Sequence, residues 1–144
     1  MSKLSQAMVP WVEGLPEDTI FNPGNRWHFM RVKPFKGKVC ILKDGEVLAV
    51  STDTVRLIEI GNDFYDPVLY LPIDDIAASL VKNDAATYCP LKGSAIYFDL
   101  AGCAASSDAL GIAWSYPKPL DFATEIAGRV AFYPNQVIIE ETSA

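Results

Sequence analysis

The sequence predicts a mainly β fold with minor helix: a single curled antiparallel sheet of about eight strands, with two short helices. Three observations carry that expectation. Asp44-Gly45 separates two β-rich runs, Lys38–Lys43 and Glu46–Ser51, and an Asp-Gly pair suits a type I′ hairpin because both central positions need positive φ. Strand-like runs dominate and most connections are short, which favours antiparallel pairing over βαβ crossovers. The runs Val39–Leu42 and Val47–Val50 are apolar throughout, as expected where a sheet is covered on both faces and curls or closes on itself.

Residues 1–27 read as an irregular arm, broken by Pro10, Gly14, Pro16, Pro23 and Gly24, with Trp11 and Phe21 as anchors. Residues 28–144 then form one β-domain. After the hairpin, Val55–Ile60 and Val68–Leu71 are the third and fourth strands, and Pro72, which has no N–H to donate, stops the sheet. Asp74 or Asp75 caps a short helix running to about Val81, with Ile73, Ile76 and Leu80 on one face. Ala95–Leu100, Ile112–Tyr116, Arg129–Tyr133 and Gln136–Glu140 complete the strands. A second helical turn, Asp121–Ala127, is closed by Gly128 at the left-handed position that ends many helices.

A chain of 144 residues, 50% hydrophobic and 21% charged, suits one domain with a real core and excludes global disorder. No apolar run approaches the ~20 residues of a membrane span, and no apolar segment follows Lys3 as a secretory leader requires. Cys40, Cys89 and Cys103 are odd in number and irregularly spaced, so free thiols in a reducing cytoplasm are expected. The net charge of −6 argues against nucleic acid, whose phosphates need surplus lysine and arginine. One stretch runs the other way. Arg26, Arg31, Lys33, Lys36, Lys38 and Lys43 are half of the 12 basic residues, with Trp27, Phe29 and Phe35 interleaved. That stretch reads either as a phosphate-binding patch or as a solvated strand face.

Side chains alternate along a strand, so a spacing of two places residues on one face. Val55, Leu57 and Glu59 share one face, and Arg56, Ile58 and Ile60 the other. A carboxylate among apolar neighbours must find partners or shift its pKa. Trp114 and Tyr116 project together, opposite Ala113 and Ser115, and Tyr97 and Asp99 form a similar pair. Thr87 to Gly93 reads as a strand end entering a tight turn, with Thr87 and Cys89 pointing one way and Lys92 close by. An ammonium near a thiol favours the thiolate, so Cys89 is a candidate nucleophile as well as a half-buried inert thiol. A nucleophile normally needs a base, and the single histidine, His28, is remote in sequence. Without a Cys-x-x-Cys or a histidine pair, no metal is expected. Phosphate-loop, dinucleotide-glycine and Gly-x-Ser-x-Gly motifs are missing too, so no cofactor is expected. Tyr97, Trp114, Tyr116, Phe132 and Tyr133 line either a ligand cup or an ordinary β core.

Several segments together resemble the bacterial domain of unknown function 427 family. Thr87 to Gly93 matches its Thr-x-Cys-Pro-x-Lys-Gly segment, Ala95-Ile96-Tyr97 its Ala-x-Tyr strand, and Trp114 to Leu120 its Trp-Ser-Tyr-x-x-Pro-Leu element. Gly128 to Tyr133 matches the closing Gly-x-Val-Ala-Phe-Tyr, and upstream Tyr70 to Ile76 looks like the Tyr-x-Pro-x-x-Asp-Val element and Glu59 to Gly61 like a Glu-x-Gly. The resemblance covers residues 28–141. It implies a compact β fold grouped with tent- or barrel-like sheets, some of whose distant relatives hold zinc through paired Cys-x-x-Cys motifs absent here. The family bears a nucleotidyltransferase-style label, yet the Gly-Ser and Asp-x-Asp metal signature of such transferases is not present as a set. Leu91 stands where an aromatic is usual, and Val50 where an acid is common.

The leading functional expectation is a β-domain that binds a small anionic or aromatic molecule. Its cup would be lined by Glu59, Tyr97, Trp114 and Tyr116, with Thr87, Cys89 and Lys92 at the rim. Lys92 or Arg56 would meet the anion and the aromatics would stack on a flat group. A second expectation is an enzyme with Cys89 or Glu59 as nucleophile or base and Lys92 beside them. A third is a protein-interaction module using strand edges or the basic 26–43 stretch.

Overall fold

The computed structural model describes residues 15–102 and 111–144. Trp11, Cys103 and the first 14 residues of the expected arm lie outside the described residues, as does the Arg26 side chain. Eleven strands follow in order: β1 (Ile20–Asn22), β2 (Asn25–Phe35), β3 (Gly37–Lys43), β4 (Glu46–Ser51), β5 (Thr54–Ile60), β6 (Val68–Tyr70), β7 (Leu80–Cys89), β8 (Gly93–Leu100), β9 (Ala113–Ser115), β10 (Val130–Phe132) and β11 (Ile138–Ser143). The expected single curled sheet of eight strands is therefore corrected. The strands form three antiparallel sheets, ordered β1-β2-β5-β6, β11-β3-β4 and β10-β9-β8-β7, none closed into a barrel.

The Asp44-Gly45 hairpin forms as its chemistry requires, with φ of 50° at Asp44 and 82° at Gly45. The strands β3 and β4 are not covered on both faces, however. Leu48 and Ala49 are buried, whereas Val47 and Val50 are 48% and 42% exposed. The two expected helices are 3₁₀ segments, Ile73–Asp75 and Asp121–Ile126. The first fails to extend because Ile76, Ala78 and Leu80 pack on one core at a spacing of two, not of three and four. Ile76 bridges to Ala49 of β4, and Leu80 opens β7.

Strand β1 has no counterpart among the expected elements, β7 was expected only at its Thr87–Cys89 end and β2 only as one alternative for the basic stretch, and β1 and the start of β2 fall within residues assigned to the arm. Asn22 and Asn25 flank the Pro23-Gly24 turn that joins them. Along β2, Met30 and Val32 face a core, and Arg31 and Lys33 point away from it.

A shared wall positions everything else. Leu71, which follows β6, and Val130 of β10 exchange two backbone hydrogen bonds of 2.8 Å, joining the edges of two sheets. Alternation then sends neighbouring side chains to opposite cores. Tyr70, Tyr116 and Ala131 enter a first core with Met30, Val32, Val55, Leu57 and Tyr97, and Trp114 packs on its edge. Leu69, Leu71, Ala113, Val130 and Phe132 enter a second with Val39, Ile41 and Leu48. No helix of the described residues is long and apolar enough to cross a membrane.

Leu71 is fully buried on this wall. Leu71→Ala is expected to lower the unfolding free energy by roughly 2–5 kcal/mol. Val47→Ala, at an exposed position, should change it by less than about 0.5 kcal/mol. Urea midpoints of both variants check the difference.

Candidate functional site

Pairing of β2 with β5 builds the centre of the site. Met30 lies opposite Glu59 and Val32 opposite Leu57. His28, in phase with Met30 and Val32, therefore reaches the same face as Glu59. Its ring Nε2 is 2.7 Å from Glu59 Oε2. Gly61 makes room for the ring, since a Cβ there would stand 2.9 Å from His28 Cδ2.

The hairpin between β7 and β8 supplies the third group. Cys89 pairs with Gly93 around a three-residue turn, and the Lys92 N–H donates back to the Cys89 carbonyl at 3.2 Å. Gly93 has a φ of 108°, in the region that glycine alone enters readily. Leu120 N–H donates to the Lys92 carbonyl at 3.0 Å and fixes the turn. Leu91 at its tip is fully buried in the first core. So held, Lys92 Nζ donates to Glu59 Oε1 at 2.7 Å.

Glu59 thus accepts one bond on each oxygen, and the side chains of His28, Glu59 and Lys92 are only 15%, 11% and 12% exposed. The tautomer of His28 follows from its neighbours. Gly24 N–H donates to Asn22 Oδ1 at 2.9 Å, which turns the Asn22 amide NH₂ towards His28 Nδ1 at 3.2 Å. Nδ1 accepts, so Nε2 carries the proton and donates to Glu59. Burial pushes the Glu59 carboxyl up, but the Lys92 ammonium and the two hydrogen bonds outweigh it, and the net shift is downward. Burial pushes Lys92 down, while the Tyr116 phenol and the Glu59 carboxylate more than offset it, and its net shift is upward.

Aromatic hydroxyls surround this centre. Lys92 Nζ lies 5.6 Å from the Tyr116 ring centroid. Tyr97 OH and Thr87 Oγ1 share a 2.6 Å hydrogen bond. Trp114 Nε1–H donates to Tyr70 OH at 3.2 Å, and the Trp114 ring packs on Tyr133 with centroids 4.5 Å apart. Burial raises the Tyr70 and Tyr116 phenols well above the ordinary range, so both stay neutral donors. Cys89 packs against the same core as a free thiol, and its Sγ, a ring nitrogen of His28 and a Glu59 oxygen all lie within 4.8 Å of one another.

Of the residues singled out by sequence, Glu59, Thr87, Cys89, Lys92, Tyr97 and Tyr116 therefore border one core, with Trp114 at its edge. Arg56 is placed elsewhere. It projects from the opposite face of β5, pairs with Glu141 and covers the Phe35 ring at 4.8 Å. With Val68, Leu69, Trp114 and Ile139, Arg56 and Glu141 border a groove of about 450 Å³. Members of the basic stretch disperse: Arg31 meets Asp18, and Lys43 donates to the Gln136 carbonyl. His28 is the residue that sequence reasoning left out. The available signal was its spacing of two from the core-facing Met30 and Val32.

Residues 31–143 match the family described as a domain of unknown function, DUF427. The chain belongs to the DUF427 family. No curated protein matches it. The DUF427 segments noted in the sequence have clear physical tasks here. In Glu-x-Gly, Glu59 is the acceptor and Gly61 yields space to His28. In Cys-Pro-x-Lys-Gly, Gly93 permits the turn that aims Lys92 at Glu59.

Two outcomes follow. Lys92→Met leaves the Glu59 carboxylate without its cation and should cost roughly 3–5 kcal/mol, as broken buried pairs do. Pairing it with Glu59→Gln should restore part of that loss, a coupling that a double-mutant cycle measures. The pH dependence has a fixed sign. Glu59 is lowered from 4.5, so its contribution is full above 4.5 and disappears as pH falls through the lower folded value. Lys92 is raised from 10.5, so its contribution is full below 10.5 and disappears as pH rises through the higher folded value. The stability difference between the native chain and the double variant, followed by urea unfolding across pH, should form a plateau between those limits.

Proposed function

We propose that the chain binds a small anionic molecule over the Glu59–Lys92 pair, with the surrounding aromatic rings packing on its body. One observation carries this reading. A nearly buried ammonium, carboxylate and imidazole are gathered from two strands and a turn onto a core of apolar and aromatic side chains. Apolar side chains of similar volume would fill that space at equal or better stability, so the fold itself does not call for the polarity. Hydrogen-bonding capacity also remains. An ammonium has three donors, and Lys92 Nζ makes one hydrogen bond, to Glu59, among the described residues. The Tyr116 hydroxyl makes none among those residues and lies on the ring beneath Lys92. A carboxylate or phosphate oxygen placed there would accept from both.

The test is calorimetric titration and thermal unfolding with inorganic phosphate and small aromatic carboxylates and phosphates, in the presence of a chelator. At a ligand concentration of about 100 Kd the native chain should gain about 2.7 kcal/mol of stability. Lys92→Met should abolish the response, and Trp114→Ala should weaken it for aromatic ligands. Responses equal to the native chain in both variants would sink the reading.

A second reading, a thiol-dependent enzyme, has the 4.8 Å grouping of Cys89, His28 and Glu59 in its favour. Its weakness is the His28 tautomer, which points the Nε2 proton at Glu59 rather than leaving a lone pair for the thiol. An iodoacetamide rate for Cys89 that follows an ordinary alkaline profile rejects this reading.

A further inference from the structure

We propose that His28, Glu59 and Cys89 form a three-ligand site for zinc or a similar borderline divalent cation. The donors come from β2, β5 and the end of β7, so no sequence spacing reveals them. Their ligating atoms already lie within 4.8 Å of one another. Around a tetrahedral zinc, bonds of ~2.0 Å to nitrogen and oxygen and ~2.3 Å to sulfur place ligand atoms roughly 3.3–3.6 Å apart. The thiol therefore has to move inward by about an ångström, and the 2.7 Å His28–Glu59 contact has to open slightly.

The donor set selects the ion. Imidazole, thiolate and carboxylate together suit zinc or cobalt, whereas magnesium and calcium take oxygen ligands. Each of two ligands also has a polar group beside its other atom, where metal sites normally carry an outer partner. Lys92 holds the other oxygen of Glu59, and Asn22 holds the other nitrogen of His28. Three protein ligands leave a fourth position open, the pattern of zinc sites that activate water or bind substrate.

Metal binding rearranges protons on two of the ligands. Cys89 releases its thiol proton to solvent and its sulfur lone pair bonds the metal. The proton on His28 Nε2 is replaced by one on Nδ1, and Asn22 rotates to offer Oδ1, giving up its bond from Gly24. The net release is one proton. The Lys92 ammonium opposes a nearby cation, and the two anionic ligands, carboxylate and thiolate, offset it.

The probe is Co²⁺ alone, titrated into the chelator-treated full chain and followed by absorption. The expected result is one equivalent bound, with a thiolate-to-cobalt charge-transfer band and the intense visible bands of a four-coordinate ion, displaced by Zn²⁺. Cys89→Ser should abolish the charge-transfer band, whereas Cys40→Ser should leave it intact. His28→Ala should weaken binding beyond the ~10–100-fold that losing an outer partner costs. No charge-transfer band in the native chain, or one that persists in Cys89→Ser, overturns the proposal. Should these variants fail to fold, alkylation of the native chain decides: one equivalent of Zn²⁺ should slow iodoacetamide labelling of Cys89 at least ~10-fold. An unchanged labelling rate overturns the proposal equally. Anion binding in chelator is independent of this result, because Cys89→Ser leaves Lys92 and Tyr116 in place.

Discussion

A buried ammonium has to be met by an anion, and the first core of this protein is arranged around the place where Lys92 meets Glu59. Glu59 lies on β5, the strand between β2 and β6. Lys92 lies on a turn at the far end of another sheet, held by the positive φ of Gly93 and the hydrogen bond from Leu120. The contact therefore ties two sheets together through one carboxylate, and the same carboxylate orients His28. Removing either charge would leave the other stranded in a low-dielectric setting, a strongly destabilising change.

The shared wall explains why the polar centre and the purely apolar packing do not interfere. Along β6, β9 and β10, successive side chains go to different cores, so Tyr70 and Trp114 meet the polar groups while Leu69, Ala113 and Phe132 do not. Polarity is concentrated in the first core, and the second is filled almost wholly by aliphatic side chains and Phe132. A protein needing only stability has no reason for that division. It separates an apolar scaffold from the core that holds the desolvated charges, where we propose that a ligand binds.

Much of the local architecture was legible from the chain. The Asp44-Gly45 hairpin, the runs of β3 to β6 and of β8 to β11, and the face shared by Val55, Leu57 and Glu59 follow from turn chemistry and a period of two. Only the Thr87–Cys89 end of β7 was visible, because its pairing slips between Lys82 and Ala86, so Asn83 and Asp84 interrupt the alternation before it. The strand β2 was hidden because Arg31 and Lys33 occupy its outer face and the run reads as a charge cluster. Missing β2 also meant missing His28, whose approach to Glu59 depends on pairing residues 31 positions apart. Such long-range register leaves little local trace. Alternation already set Arg56 on the face opposite Glu59, and the packing adds its partners there, Phe35 and Glu141.

We propose that Lys92 and its carboxylate partner receive a ligand. Native mass spectrometry of freshly purified protein, compared with its denatured mass and with a Lys92→Met variant, tests it most directly. A ligand held there is expected to appear as a non-covalent mass on the native chain that is lost on denaturation and absent from the variant. Identical spectra for the two proteins, bare or laden, would contradict it.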